Sequence, residues 1–495
     1  MKKYLILLAA AVLVLAACNS NKKTEASRES WSLTETYGDS VAFHPDWTYS
    51  SVVYEVNIRQ FTPEGTFKAF EAHLPRLKDL GVDCIWLMPM YPIGIEGRKE
   101  NAESLGSYYA ISDYKAVNPE FGTMEDFDHM LATAHELGLK VILDWVANQT
   151  APDHVWMSSN PDFYERDAEG NAIWEYDWTD TRSLDYENRE LWAAMDDAMR
   201  FWLEKGLDGF RCDAAGEMPA EFWQGVMPKM NADYPEAYFL AEAERDNLAD
   251  PIQTFDANYA WELHHLLNSL AQGTKTVQDL KDYLGRDKAR FPKEAFRLTF
   301  TSNHDENSWQ GTEFEREGIF ANACEVLCFT LPQSQPLIYT GQEVGMDHRL
   351  KFFDRDPVPS WEPNEYTEFF KKLTALKHDN CALKAGEKGG ELVWLENMPE
   401  GVVGFSRETC CNKVIVLANF GVPPAEPVET VAQDNNSNRA TGAQAAVPFL
   451  NAEAAPVSVT LNLDGEYTDF DGNRIPEGAF EVKNLVPGQF VILTK

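Results

Sequence analysis

One phrase recurs three times along the chain: a stretch of helical period, a glycine, and a short apolar run. Phe67, Phe70, Leu74, Leu77 and Leu80 fall at three- and four-residue steps, Gly81 follows, and Val82-Asp83-Cys84-Ile85-Trp86-Leu87 reads as a strand. Phe127, Met130, Leu131, Ala134 and Leu137 lead through Gly138 into Leu139 to Leu143, and Leu191, Met195, Met199 and Trp202 lead through Gly206 into Leu207 to Cys212. Residues at those steps share one helix face, and the glycine ends the helix in a left-handed turn. A helix that returns the chain to the start of the next strand makes neighbouring strands parallel. The phrase therefore predicts a parallel α/β fold.

Five further strand candidates are Val52 to Ile58, Ala237 to Ala241, Thr254 to Ala257, Phe296 to Thr301 and Pro336 to Thr340, which makes eight. Eight strands with helices between them over residues 51–384 predict a (β/α)8 TIM barrel. An open doubly wound sheet is the alternative, but no glycine-rich phosphate loop follows the first strand. Residues 148–188, rich in Asp, Pro and Trp, are too long for an ordinary connection and read as a small subdomain inserted after strand three. From residue 385 to 495 the rhythm changes to short strands such as Leu392 to Leu395, Val402 to Phe405, Val414 to Ala418 and Phe490 to Thr494. These predict a C-terminal antiparallel β-sandwich, with residues 422–456, rich in Ala, Pro and Asn, as a loop insertion.

Residues 1–17 open with Lys2 and Lys3, continue as an apolar run and end in Leu15-Ala16-Ala17 before Cys18, the pattern of a secretory signal. The run is too short to span a bilayer. Cys18 after small residues resembles the lipobox of bacterial lipoproteins, which implies cleavage before Cys18 and its lipidation. The expected location is extracytoplasmic, tethered to a bacterial membrane, with residues 18–50 as lipidated terminus and solvated spacer. The seven other cysteines are odd in number and scattered, so no disulfide framework is expected, and no paired Cys or His spacing suggests zinc. With 43 basic against 79 acidic residues the net charge is −36, which excludes a nucleic-acid reader driven by phosphate attraction.

Acids stand at the ends of four strand candidates: Asp144 after Val141-Ile142-Leu143, Asp213 after Phe210-Arg211-Cys212, Glu242 after Leu240-Ala241, and Asp305 after Ser302-Asn303-His304. In a parallel barrel these ends share one rim, where such folds place their chemistry. Clustered acids either bind divalent metals or cleave glycosides with one carboxylate as nucleophile and one as acid. Arg211 and Asp213, two apart, face the same side of a strand, and a guanidinium there is expected to keep Asp213 ionised. Glu242 has no basic residue within two positions and follows an apolar run, surroundings that suit a general acid. His304 beside Asp305 leaves a metal pair open.

Asp144-Trp145-Val146-Ala147-Asn148-Gln149, Gly209-Phe210-Arg211-Cys212-Asp213, Leu240-Ala241-Glu242 and Ser302-Asn303-His304-Asp305 resemble, in order and spacing, the four sequence regions of the α-amylase family, glycoside hydrolase family 13. The flanking runs Gly81 to Pro89, Tyr109 to Tyr114, Asn118 to Thr123 and Gly341 to Gly345 agree. The resemblance implies Asp213 as nucleophile, Glu242 as acid/base and Asp305 as the acid that steadies the distorted sugar. It implies that Arg211 holds Asp213, that His304 binds a sugar hydroxyl, that Tyr109 stacks beneath the ring and that Asp144 supports the rim. The implied reaction is double displacement with retention at an α-glucosidic bond, mainly α-1,4, of starch, glycogen or maltodextrins. A transglycosylase or branching-type transferase shares that intermediate, and a glycan-binding lipoprotein without turnover is a third class.

Two departures qualify the resemblance. Gln149 stands where the family usually has a His that contacts the primary hydroxyl, and glutamine can donate a hydrogen bond but carries no charge. Gly216-Glu217 replaces the Lys-His of typical α-amylases, so that Asp213-Ala214-Ala215-Gly216-Glu217 looks like the run of neopullulanases and cyclomaltodextrinases, with Glu217 facing the leaving-group side. Asn148 matches a position that binds calcium in many members. The missing Lys-His pair removes a partner for that ion, so no metal or other cofactor is expected to be required and Ca2+ stays possible. Trp145, Trp156, Trp178 and Trp309 are expected near the rim.

Overall fold

The structure, a computed structural model, describes residues 31–38, 41–98, 104–421 and 456–495. The expected signal, Cys18 and nearly all of the 422–456 loop lie outside the described residues. Among the described residues eight strands close into a parallel barrel: β1 Val53–Val56, β2 Cys84–Leu87, β3 Lys140–Val146, β4 Gly209–Asp213, β5 Tyr238–Ala241, β6 Ala257–Tyr259, β7 Phe296–Thr299 and β8 Ser334–Tyr339. Closure is made by β1 against β8, with Val53 opposite Leu337. Val53, Trp86, Ile142, Leu240, Tyr259, Leu298 and Leu337 point inward and fill the barrel. Each such large apolar side chain contributes about 1.5–3 kcal/mol on burial.

Helices α1 Leu74–Leu80, α2 Met124–Glu136, α3 Arg189–Glu204, α4 Ala220–Asp233, α5 Trp261–Ala271, α6 Val277–Arg290, α7 Ala321–Thr330 and α8 Glu365–Asp379 surround the barrel. α2 starts in a capping box, Thr123 accepting from Asp126 N while Asp126 accepts from Thr123 N, a device worth about 1 kcal/mol. Gly81 ends α1 at φ +91°, and a Cβ there would also overlap the Thr374 side chain of α8. The position needs glycine twice over.

Three local expectations change. The single helix expected from Phe67 to Leu80 is two, Phe67–Glu71 and α1, because Pro75 in the first turn of α1 has no amide proton to extend the earlier ladder. The sixth strand begins at Ala257, where the expected Thr254 to Ala257 run ended. Thr254 instead closes a turn with Asp250, its amide donating to Asp250 O at 2.7 Å. The spacer expected over 18–50 is in part a packed segment: Leu33, Phe43 and His44 are buried. His44 Nδ1 meets Asp256 Oδ1 at 2.7 Å, and its ring stacks on Phe296 with centroids 3.8 Å apart. Asp256 and Phe296 sit at the N-terminal ends of β6 and β7, so this segment covers the floor of the barrel.

Between β3 and α3 the inserted stretch forms a ribbon, Gln149–Thr150 antiparallel to Arg182–Ser183, with the short helix Val155–Ser159. The C-terminal part contains β9 Glu391–Trp394, β10 Val402–Glu408, β11 Lys413–Asn419, β12 Val457–Leu463, β13 Tyr467–Asp469, β14 Arg474–Ile475, β15 Gly478–Leu485 and β16 Phe490–Thr494. One antiparallel sheet runs β9-β10-β11-β16-β13-β14, and β12 pairs with β15. Val402, Ile415, Leu417, Val459, Leu461, Val482 and Leu493 form one apolar layer between them, which is the sandwich expected.

Candidate active site

Three acids at the C-terminal parts of β3, β4 and β5 converge on one cation: Asp144 lies inside β3, which runs two residues beyond it, Asp213 ends β4 and Glu242 follows β5. Arg211, on β4 and almost wholly buried, places Nη1 3.0 Å from Asp144 Oδ1 and 2.9 Å from Asp213 Oδ1, and Nη2 3.0 Å from Glu242 Oε2. Parallel pairing sets this up: Asp144 lies beside Arg211 across β3 and β4, and Arg211 beside Leu240 of β5. Glu242 Oε2 also accepts from Ala214 N at 2.8 Å. The contacts at 2.9 and 3.0 Å span a guanidinium whose nitrogens are about 2.3 Å apart, so the nearest Asp213 and Glu242 oxygens lie within about 8 Å. Both side chains keep an opening to solvent, 15% and 18% exposed.

The electrostatics correct two expectations. Arg211 was expected to keep Asp213 ionised, yet burial, and after it the Glu242 carboxylate, pushes the Asp213 carboxyl well above its ordinary range against the pull of Arg211. One positive charge serves three carboxylates, so it is not available to Asp213 alone. Glu242 was expected in apolar surroundings, and instead meets both Arg211 and a backbone amide. Its cationic neighbour comes from another strand and is invisible in local sequence. Asp144, buried, is pushed up to about 6 by burial, with Arg211 opposing. Three carboxyl groups around one guanidinium interact closely enough that their protons belong to the group as a whole.

A second wall faces this trio. Asp305, 42% exposed, brings Oδ2 to 3.5 Å from His304 Nε2. Tyr109 donates its hydroxyl to Asp144 Oδ2 at 3.2 Å and receives His304 Nε2 at 2.9 Å, its ring stacked on the imidazole at 5.7 Å and 23°. An open site bounded by two close carboxyl groups, a third acid and an aromatic face has the parts that glycoside cleavage uses.

Comparison with known proteins agrees with that chemistry. The family model described as the catalytic domain of α-amylase matches residues 30–382. The chain belongs to the α-amylase family. It is 28% identical over 399 residues to α-amylase MalA of Haloarcula japonica, covering 77% of this chain and 57% of that relative. It is 33% identical over 261 residues to an α-1,4-glucan:maltose-1-phosphate maltosyltransferase of Rhodospirillum rubrum, covering 45% of this chain and 38% of that relative. These first relatives are thus matched over little more than half of their length or less. The crystal structure of an α-amylase from Lactobacillus plantarum superposes with a TM-score of 0.73 at 29% identity, covering 91% of this chain and 99% of that one.

In this α-amylase-family chain the remaining expected residues fall as follows. Gln149 is buried, and its Oε1 accepts from Asn148 Nδ2 at 3.2 Å. Asn148 donates from Nδ2 in this contact and keeps Oδ1 as an oxygen donor, and among the described residues no three His, Cys, Asp or Glu side chains are grouped to hold a metal. Glu217 is exposed in the turn after β4, its amide donating to Ala214 O at 2.8 Å. Ala214 itself has φ +46°, a strained conformation for alanine that turns the chain sharply beyond Asp213. Of the tryptophans, Trp145 is buried in the core, Trp156 packs against it, and Trp309 is exposed next to Phe352, whose ring lies parallel to Tyr109.

Three contributors were not anticipated. Trp86 of β2 donates its indole N–H to Asp144 Oδ2 at 3.2 Å, and Tyr259 of β6 accepts from Arg211 Nε at 3.1 Å. Glu55 of β1, fully buried, takes the Nδ1 proton of His304 at 2.6 Å. An acid inside the apolar run Val52 to Ile58 was the available signal for it. With Nδ1 given to Glu55 and Nε2 to Tyr109, His304 donates from both nitrogens, the imidazolium form. Burial opposes that charge, but Asp305 and Glu55 override it and raise His304 to about 9. The sign follows: the pair stabilises the fold fully below the ordinary His range, and the contribution is lost as pH rises through about 9. Glu55→Gln is expected to return the His304 titration toward its ordinary range by NMR and to lower kcat/KM about tenfold; an unchanged His304 titration contradicts this role.

Proposed function

We propose that the protein is a retaining glycoside hydrolase that cleaves α-glucosidic bonds, mainly α-1,4, of starch, glycogen or maltodextrins. The observation that carries this reading is the convergence of Asp213 and Glu242 on Arg211 at an open rim, with Asp305, His304 and Tyr109 opposite. In the productive state the shared proton sits on Glu242 and Asp213 is ionised. Asp213 attacks the anomeric carbon while Glu242 gives its proton to the departing oxygen, leaving a glucosyl ester on Asp213. Glu242, now a carboxylate, takes a proton from water as that water attacks the same carbon and frees Asp213. Asp305 and His304 hold sugar hydroxyls as the ring flattens, and Tyr109 lies against its face. The carboxyl groups complete this cycle, and no metal enters a step.

The test is release of reducing ends from maltoheptaose, run beside pullulan and cyclodextrin to set the substrate subclass and repeated after dialysis against EDTA. Glu242→Gln is expected to lose about 10²–10⁴-fold with maltoheptaose. It should keep a far larger share with an aryl glycoside whose leaving group needs no proton. Equal losses on both substrates would remove Glu242 from the acid role. Transfer to a sugar hydroxyl is the second reading, favoured by the 33% identity to a relative named as a maltosyltransferase. It predicts longer maltodextrins rather than net reducing ends. The run Asp213 to Glu217 supports a neopullulanase or cyclomaltodextrinase-like subclass, which activity on cyclodextrin checks.

We further propose that the enzyme acts outside the cytoplasm, tethered through lipid on Cys18, a position that suits attack on polymers too large to import. Cys18→Ser is expected to abolish incorporation of labelled palmitate and release the protein from the membrane fraction; labelling that persists contradicts the tether.

A further inference from the structure

Three thiols crowd one corner where the β-sandwich meets the barrel. The turn from Thr409 to Asn412 joins β10 to β11, closed by Thr409 N donating to Asn412 O at 3.0 Å. It presents Cys410 and Cys411, both exposed, with their sulfurs 3.4 Å apart. Asn412 fastens the turn to the barrel: Oδ1 accepts from Ala382 N at 3.1 Å, and Nδ2 donates to Asp379 O at 3.3 Å. Asp379 ends α8, and Cys381 opens the short turn Cys381–Leu383 after it. The Ala382 N to Asn412 Oδ1 hydrogen bond brings the residues just before each, Cys381 and Cys411, to the same corner, where the two thiols interact electrostatically. Cys84, Cys212, Cys324 and Cys328 are buried, so among the described residues this corner holds the thiols that an oxidant in solution can reach.

We propose that Cys381 and Cys411 are a disulfide-forming pair that staples the C-terminal β-sandwich to α8 of the barrel. The two residues are thirty positions apart in the chain, and a cross-link over a loop of that length restricts the unfolded chain substantially. It also fixes the one corner where the two parts meet through the Asn412 hydrogen bonds. The oxidant class is a low-molecular-weight disulfide. The Cys411 thiolate attacks one of its sulfurs and expels a thiolate. The Cys381 thiolate then attacks the Cys411 sulfur of the mixed disulfide and expels the second. Two protein thiols are oxidised, one small disulfide is reduced to two thiols, and the two protons the protein thiols give up are taken by the two expelled thiolates. Cys410 is the competing partner, and its hydrogen bond with Cys411 holds the Cys411 thiol above its ordinary range, so exchange runs best in mildly alkaline buffer.

The test uses the full chain incubated with oxidised glutathione, alkylated, digested and mapped by mass spectrometry. A linked pair of peptides carrying Cys381 and Cys411 is expected, with a melting temperature on the order of 5 °C above that of the reduced protein. Cys381→Ser and Cys411→Ser should each abolish the rise, and Cys410→Ser should retain it. Linkage of Cys410 to Cys411 alone, no linkage, or a rise that survives Cys381→Ser overturns the pairing. Catalysis enters none of these readouts, so the staple and the proposed reaction stand or fall separately.

Discussion

Asp213→Asn is expected to lose at least about 10⁴-fold in kcat on maltoheptaose while unfolding at a higher temperature than the parent protein near neutral pH. The first half follows from chemistry. An amide cannot form the glucosyl ester, and Glu242 alone cannot replace the lost displacement. The second half follows from the site's crowding. Asp213 is pushed above the ordinary carboxyl range by burial and by Glu242, so the stability it allows is present in full below its unfolded-state pKa and is lost as pH rises through its raised folded value. Asparagine keeps the size and still accepts from Arg211, but carries no charge to crowd Glu242 and Asp144. The gain in melting temperature should therefore be largest in neutral to alkaline buffer and vanish near pH 4, about the unfolded carboxyl value. Calorimetry across pH, beside reducing-end assays, checks both halves. Activity within tenfold of the parent removes Asp213 from the nucleophile role, and a variant less stable at every pH removes the crowding.

Stability traded for a reactive cluster explains which parts of this molecule were legible in its sequence. Barrel strands announce themselves because burial on both faces demands continuous apolar runs, and the ends of α1, α2 and α3 are marked by Gly81, Gly138 and Gly206, whose left-handed conformation other residues resist. Asp144, Asp213 and Glu242 stood out as acids that end such runs, and the Arg211–Asp213 pairing followed from the alternation of a strand. The partners that cross strands could not be read: Arg211 to Glu242, His304 to Glu55 and Trp86 to Asp144 join residues 31 to 249 positions apart. Only register brings them together, and register is set by the whole barrel. The same limit misplaced residues 31–46. Leu33 and Phe43 show no period, so nothing local reveals that the barrel floor receives them.

Arg211→Met is expected to destabilise the protein by about 3–5 kcal/mol near neutral pH, because it leaves buried carboxylates without the one cation they share. Methionine fills most of the volume, so a packing loss would be small and independent of pH. The electrostatic loss has a direction. Asp144 already titrates at about 6 with Arg211 beside it, and removing the guanidinium raises it further. A carboxyl whose folded pKa lies above its unfolded value favours the fold below the unfolded value and loses that favour as pH rises through the folded one. The gap between variant and parent should therefore widen from mildly acidic to alkaline buffer, and denaturant midpoints at several pH values read it directly. Lysine at the same place restores the charge but not the three-way contact, since an ammonium is a point charge rather than a planar fork. Arg211→Lys should recover more stability than activity. Adding Asp144→Asn to Arg211→Met discriminates further. It removes the most deeply buried carboxylate of the three, so stability should return in part, while turnover stays low because Asp213 and Glu242 still lack the guanidinium that positions them together. If the variant's deficit proves the same at every pH, Arg211 fills space rather than balancing charge, and the carboxyl groups around it do not form one electrostatic unit.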